Sequence, residues 1–238
     1  MARTSTTSRR STPKKVASKK HSIKKSSSQS AKKTLKAVSG KPKKLTLFEH
    51  FAKNKKYEKC GFATRAIHAG NEPEPIWGGV VPAIDLSTTY VQTAPGETTL
   101  FDYQRCGNPT RLALEKNLAS LEHGKYAFAC GSGMSAAIQI FNMLDSGDHV
   151  LCVDDVYGGT QRYLRRILRD KQGVQLTMCD FNSEALFRKA LKKNTKIVWL
   201  ETPTNPTLKI FDIKAIAKIC KEKNVLLAVD NTFMSPVL

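Results

Sequence analysis

"HVLCVDDVYGGT", residues 149–160, carries a strand, an acidic break and a helix start in one short stretch. Val150, Leu151, Cys152 and Val153 form an apolar run without polar alternation, the pattern of a strand buried on both faces. Asp154 and Asp155 end it, and Gly158 and Gly159 open a segment of helical periodicity. The same rhythm continues on either side. "YAFAC" (126–130), "VQLTMC" (174–179), "KIVWLE" (196–201) and "VLLAV" (225–229) read as further strands. Helices are predicted from Pro109, capped by Asn108, to near Gly124, then through "MSAAIQIFNML" (134–144), from about Ser183, and over "DIKAIAKICKEKN" (212–224). Continuous apolar strands alternating with helices predict an α/β fold, a mostly parallel sheet covered by helices. Ligands of such sheets bind at the carboxyl ends of the strands, so the residues just after each strand are the candidates for a site.

Four strand ends carry such residues. In "CGSGMSAA" (130–137), Ser132 and Gly133 stand where a helix begins, and free N–H groups at the positive end of its dipole suit a phosphate. It is neither a Walker motif nor GxGxxG, and a tight turn needing glycine explains it equally well. In "DDVYGGT" (154–160), Tyr157 can offer a ring face to a planar ligand or serve as a core tyrosine. In "ETPTNPT" (201–207), Asn205 sits between Pro203 and Pro206, where a stiff loop can hold an amide against a ligand oxygen or be a plain turn. After the last strand comes Asp230, whose carboxylate needs a cation or caps a helix. A phosphate anchor, an aromatic face and a carboxylate together suit pyridoxal 5'-phosphate (PLP), in which an aspartate keeps the ring nitrogen protonated.

The net charge of +19 on 238 residues is unevenly placed. Before residue 61 there are 19 Lys/Arg and two acids, Glu49 and Glu58, while the rest of the chain carries 20 basic and 18 acidic residues. The basic balance therefore says nothing about the ligand of the fold. Residues 1–60 read as a disordered basic tail, because a Ser/Thr/Lys-rich segment buries too little apolar surface to offset its ordering entropy. The opening "MARTSTTSRRSTPKKVASKK" resembles the start of a core-histone tail over about 20 low-complexity residues. A nucleic-acid-binding arm, a nuclear-import signal and a mitochondrial transit peptide compete with a merely solvated tail. Residues 61–107, with Pro73, Pro75, Pro82 and Pro95, read as an extended arm with one short strand at most. The six cysteines show no metal-ligand spacing, and those in apolar runs, Cys130 and Cys152, read as reduced, buried thiols of a cytoplasmic protein. No apolar run reaches the length of a membrane span, and no metal is expected.

Four blocks then resemble one family. "YQRCGNPTR" (103–111), "DDVYGGTQRY" (154–163), "ETPTNPTLKI" (201–210) and "VDNTFMSP" (229–236) are similar to the cystathionine γ-lyase/γ-synthase group, fold-type I PLP enzymes of cysteine and methionine metabolism. The resemblance runs from about Phe62 to Leu238 with the blocks in family order. It implies that residues 108–238 are the N-terminal part of a PLP-binding large domain of PLP-dependent transferase type. It implies, further, Tyr103 and Arg105 reaching into a neighbouring subunit's site, Arg105 on the cofactor phosphate. Gly133 and Met134 would be backbone donors to that phosphate. Tyr157 would be the ring-stacking, proton-transferring tyrosine, Arg162 a substrate contact, and Asn205 a partner of the phenolic oxygen and substrate carboxylate. Asp230 would be the partner of the pyridine nitrogen, supported by Thr232. The implied assembly is a homo-oligomer, a dimer of dimers, acting on small sulfur amino acids.

Two departures qualify this expectation. Cys106 stands where the family has Ser or Thr, as a redox-sensitive thiol or a silent substitution. The family's Schiff-base lysine and small C-terminal domain lie beyond the "DNTF" block, and Lys221 and Lys223 fall in a helix away from the strand ends. The expectation is therefore a fragment or short form, inactive by itself, of a γ-lyase that splits cystathionine into cysteine, 2-oxobutanoate and ammonia. A γ-synthase-type transferase is the alternative, and a non-catalytic partner that binds nucleic acid through its tail is another. Gly159 replaces a cysteine typical of methionine γ-lyases, and "STTYVQTAPGETTLFDYQR" (87–105) looks like eukaryotic γ-lyases.

Overall fold

A computed structural model of the chain describes residues 56–237. The basic tail read over 1–60 lies outside the described residues except for its last five, which form a short 3-10 turn and bend. The described residues belong to one structural unit. No helix among them is long and apolar enough to cross a membrane.

At the centre are four parallel strands, each followed or preceded by a helix. Strands β3 (His149–Val153), β4 (Gln175–Cys179), β5 (Thr195–Glu201) and β6 (Leu226–Asp230) lie in the order β4-β3-β5-β6. They follow two short antiparallel strands, β1 (Gln92–Ala94) and β2 (Glu97–Thr98). All five residues of β3 are buried, as are all but Lys196 in β5, which is why these two runs are continuously apolar and sit in the middle. The edge strands β4 and β6 are only partly covered.

Among the described residues, four helices begin where the sequence supplies a capping side chain. Helix α1 spans Phe62–His68, α2 Pro109–Leu121, α3 Gly133–Phe141, α4 Gly158–Tyr163, α5 Asp170–Gln172, α6 Glu184–Ala190 and α7 Ile213–Glu222. The side chains of Asn108, Ser132, Ser183 and Asp212 each accept a backbone N–H from the first turn of α2, α3, α6 and α7. Leu164–Arg169, between α4 and α5, is wound as a π-helix. Ile216, Ile219 and Cys220 make one buried stripe on α7, and Phe141 at the end of α3 packs its ring 4.7 Å from that of Trp199 on β5.

Two expectations are corrected. "YAFAC" is not a strand: residues 126–130 are irregular, Phe128 is 66% exposed and the Cys130 thiol is exposed. Among the described residues no strand lies beside this segment, so its apolar side chains have no sheet to enter, and Glu115 takes up the Ala129 N–H instead (3.0 Å). The arm over 61–107 holds more structure than predicted. It contains α1, the β1–β2 hairpin and a bridge between Thr89 and Tyr103. Helix α1 docks on α2 through polar groups that carry no apolar periodicity. The buried Arg65 donates to the Ser120 carbonyl (2.6 Å), and the Asn117 amide donates to the carbonyls of Arg65, Ala66 and Ala69. Gly70 follows with φ +77°, and a Cβ there would lie 2.4 Å from the Ala113 carbonyl oxygen, so the chain crosses α2 only as glycine.

At the amino ends of the strands His149 is fully buried between two hydroxyls, Thr195 Oγ1 (2.7 Å) and Thr177 Oγ1 (2.8 Å). Burial, with the nearby Lys192 charge, lowers its pKa from 6.5 to about 4. The unfolded chain then binds one more proton than the folded chain between those values, so stability falls as pH drops through this window and is constant below it. The wild-type chain should lose about 3 kcal/mol more than His149→Gln between neutral pH and pH about 4. Urea midpoints measured across that range check this, and parallel pH profiles would sink it.

Candidate functional site

The strand order creates a switch point. From β3 the chain leaves to β4 on one side, and from β5 it leaves to β6 on the other, so the connections after β3 and β5 depart in opposite directions, the place where ligands of such sheets bind. Those connections begin with loops 154–157 and 202–209, which hold Tyr157 and Asn205.

Two carboxylates clasp the loops together. Glu201, the last residue of β5, is buried. Its Oε2 accepts the Tyr157 N–H (2.9 Å) and its Oε1 the Asn205 N–H (2.7 Å). In the opposite direction, Asp155 Oδ2 accepts from the hydroxyls of Thr204 and Thr207 and from the Thr207 N–H (3.2 Å). Burial pushes Glu201 above the usual carboxylate range; its two N–H bonds oppose this, and the charges of Asp230 and Asp155 add to the rise. Burial also works upward on Asp155, but the threonine hydrogen bonds outweigh it and hold Asp155 below its ordinary value. The peptide bonds preceding Pro203 and Pro206 are cis.

Asp230 closes β6 directly opposite Glu201 in the parallel register. Its Oδ1 accepts from both the N–H (3.1 Å) and the hydroxyl of Thr232. Among the described residues it forms no ion pair with Lys or Arg. A carboxylate beside a second buried acid and without a cation fits a cationic ligand atom such as a protonated pyridine nitrogen.

The helix-start residues also come in. Gly133 and Met134 are the first residues of α3, whose leading N–H groups precede any intrahelical bond, and the space a Cβ would fill at Gly131 and Gly133 is open. Met134 Sδ accepts from the buried Thr160 hydroxyl of α4 (3.7 Å), which ties the start of α3 to the helix that Tyr157 caps. Tyr157 itself is 47% exposed, and a Cβ at Gly159 would come within 2.4 Å of its ring, so a side chain at 159 would displace that ring.

The remaining predicted residues stand apart. Tyr103 and Arg105 meet each other, the guanidinium 4.9 Å over the ring and donating to the phenol oxygen (3.1 Å), but among the described residues no hydrogen bond or ion pair joins them to the strand ends. Arg162 projects, exposed, from α4. Sequence reasoning missed Glu201 and Asp155, although an acid closing the apolar run "KIVWL" was the same signal that singled out Asp230. It also passed over Lys209, which pairs with Asp154 at the end of β3 (3.1 Å); that hydrogen bond raises its pKa and keeps it an ammonium.

Comparison with known proteins bears on the fold and the family. The family described as Cys/Met metabolism PLP-dependent enzyme matches residues 63–238. Cystathionine gamma-lyase of Macaca fascicularis is 49% identical over 178 residues, 74% of this chain and 44% of that protein. Cystathionine beta-lyase of Coxiella burnetii is 43% identical over 181 residues, 76% of this chain and 47% of that protein. The crystal structure of metB from Corynebacterium glutamicum superposes with a TM-score of 0.72 at 44% identity, covering 75% of this chain and 46% of that one. The chain thus spans about half the length of the curated relatives it matches. With a family match over residues 63–238, most of its length, the chain belongs to the Cys/Met metabolism PLP-dependent enzyme family.

Proposed function

We propose that this chain forms the PLP-holding part of an enzyme that cleaves cystathionine by γ-elimination, giving cysteine, 2-oxobutanoate and ammonia. The observation that supports it most directly is Asp230, a carboxylate without a cationic partner among the described residues, opposite Glu201 at the carboxyl end of β6. When bound, PLP supplies an electron sink for negative charge developing on substrate carbons. The chain's own groups then divide the work. Gly133 and Met134 offer N–H donors to the phosphate, and Asp230, oriented by Thr232, holds the proton on the pyridine nitrogen. Tyr157 covers one ring face and carries a proton on its hydroxyl, and Asn205 donates its amide to the phenolic oxygen and the substrate carboxylate. Arg162 pairs with that carboxylate. Tyr103 and Arg105 serve the site of a neighbouring subunit, which makes the working form a homo-oligomer.

Relatives named gamma-lyase support elimination at the γ carbon, and a match named beta-lyase is why the test separates the two bond cleavages. A γ-synthase-type transfer would use the same cradle. The test has two parts. Titrating the protein with PLP should shift the cofactor absorbance saturably; no shift overturns the cofactor assignment. A longer chain that carries this segment together with the rest of its relatives' length should release 2-oxobutanoate from cystathionine, and release of pyruvate instead would overturn γ-elimination.

A further inference from the structure

Glu201 presents a problem that the proposed chemistry leaves open. It is a buried acid with no Lys or Arg partner among the described residues, next to two further acids, Asp230 across the ladder and Asp155 in the adjoining loop. A charge in that position is costly unless something strong compensates. Here the compensation is two short N–H bonds, one from each loop that bears a candidate site residue.

We infer that Glu201 is the positioning residue of the site: one carboxylate fixes the Tyr157 and Asn205 backbones relative to each other and to Asp230, its partner in register. Both its oxygens are taken by backbone N–H groups, so it acts through the residues it holds. The choice of an acid follows from hydrogen-bond arithmetic. A carboxylate accepts at both oxygens, whereas glutamine accepts at one and would turn its NH₂ toward the other N–H. No neutral side chain of this shape can receive both loops. Asp155 works the opposite way, from the β3 loop onto Thr204 and Thr207, so the two loops are tied at separate points. Glu201 is the side chain that receives the N–H groups of Tyr157 and Asn205 themselves. For its catalytic consequence this inference rests on the proposed PLP reading; its geometric content does not.

The experiment compares Glu201→Gln with wild type and with His149→Gln, which alters a buried polar group at the far end of the same sheet. Hydrogen exchange is read residue by residue by NMR on the whole 238-residue chain without cofactor, followed by PLP titration. Glu201→Gln should speed exchange at the Tyr157 or Asn205 amide by about tenfold or more, and weaken PLP binding by a similar factor. His149→Gln should leave both unchanged. Unchanged exchange at both amides, or faster exchange spread evenly over all core amides, overturns the inference. Should Glu201→Gln fail to fold, the wild-type chain decides: the amide shifts of Tyr157 and Asn205 should follow one common titration. The ionisable groups facing that carboxylate are Asp230 from β6, Asp155 from the β3 loop and the Cys152 thiol from β3. Independent titration of the two amides overturns the inference. A wild-type chain that fails to bind PLP counts against the proposed function and leaves the exchange data to decide on Glu201.

Discussion

Asp230→Asn should weaken PLP binding by about two orders of magnitude or more while leaving the fold intact. The substitution is nearly isosteric, and its amide oxygen can still accept from Thr232, as Oδ1 does now. What disappears is the negative charge. Asp230 is half-buried, and once a bound cofactor covers it, removing one member of the buried charge pair costs about 2–5 kcal/mol, much of it from leaving the other charge without a partner. At about 1.4 kcal/mol per tenfold, the midpoint of that range exceeds a factor of one hundred. Glu201 does not compensate, because both its oxygens are already committed to the Tyr157 and Asn205 N–H groups. Absorbance titration of wild type and variant measures the ratio directly. An affinity within about threefold of wild type would remove Asp230 as the counter-ion.

Phe141→Ala should cost about 3–5 kcal/mol of folding stability. The side chain is fully buried, its ring 4.7 Å from that of Trp199 on the central strand β5 and 6.0 Å from that of Tyr163 at the end of α4. Three elements meet on this ring, so α3, α4 and β5 cannot all close on the space left behind. The same ring anchors the helix whose first residues are Gly133 and Met134, so the phosphate end of the site should loosen with the core. Urea titration followed by circular dichroism gives the stability, and PLP titration reads the second effect. A loss below about 1.5 kcal/mol would show that the helix collapses onto the sheet without strain.

The alternation of "HVLCV", "KIVWLE" and "VLLAV" with capped helices already determined the parallel sheet, because strands covered on both faces leave an uninterrupted apolar run in the chain. Helix starts were equally legible at Asn108, Ser132, Ser183 and Asp212, whose side chains satisfy N–H groups within their own turn. Tyr157, Asn205 and Asp230 could be picked out as strand-end residues for the same local reason. Other features were beyond sequence because they depend on which segments become neighbours. "YAFAC" has the composition of a strand, but a strand exists only through a partner, and among the described residues none lies beside it. Helix α1 has no amphipathic signal, since Arg65 and Asn117 dock it through carbonyls more than forty residues apart along the chain.

The site divides along the same line. Sequence alone determined which residue types stand at the strand ends, and the match to one family followed from their order. Only the tertiary structure decided that β3 and β5 are neighbours with connections leaving in opposite directions. Only there does Glu201 face Tyr157, 44 residues away, and meet Asp230 across the ladder. A carboxylate's two lone-pair directions are local chemistry, but the N–H groups that fill them are supplied by the fold.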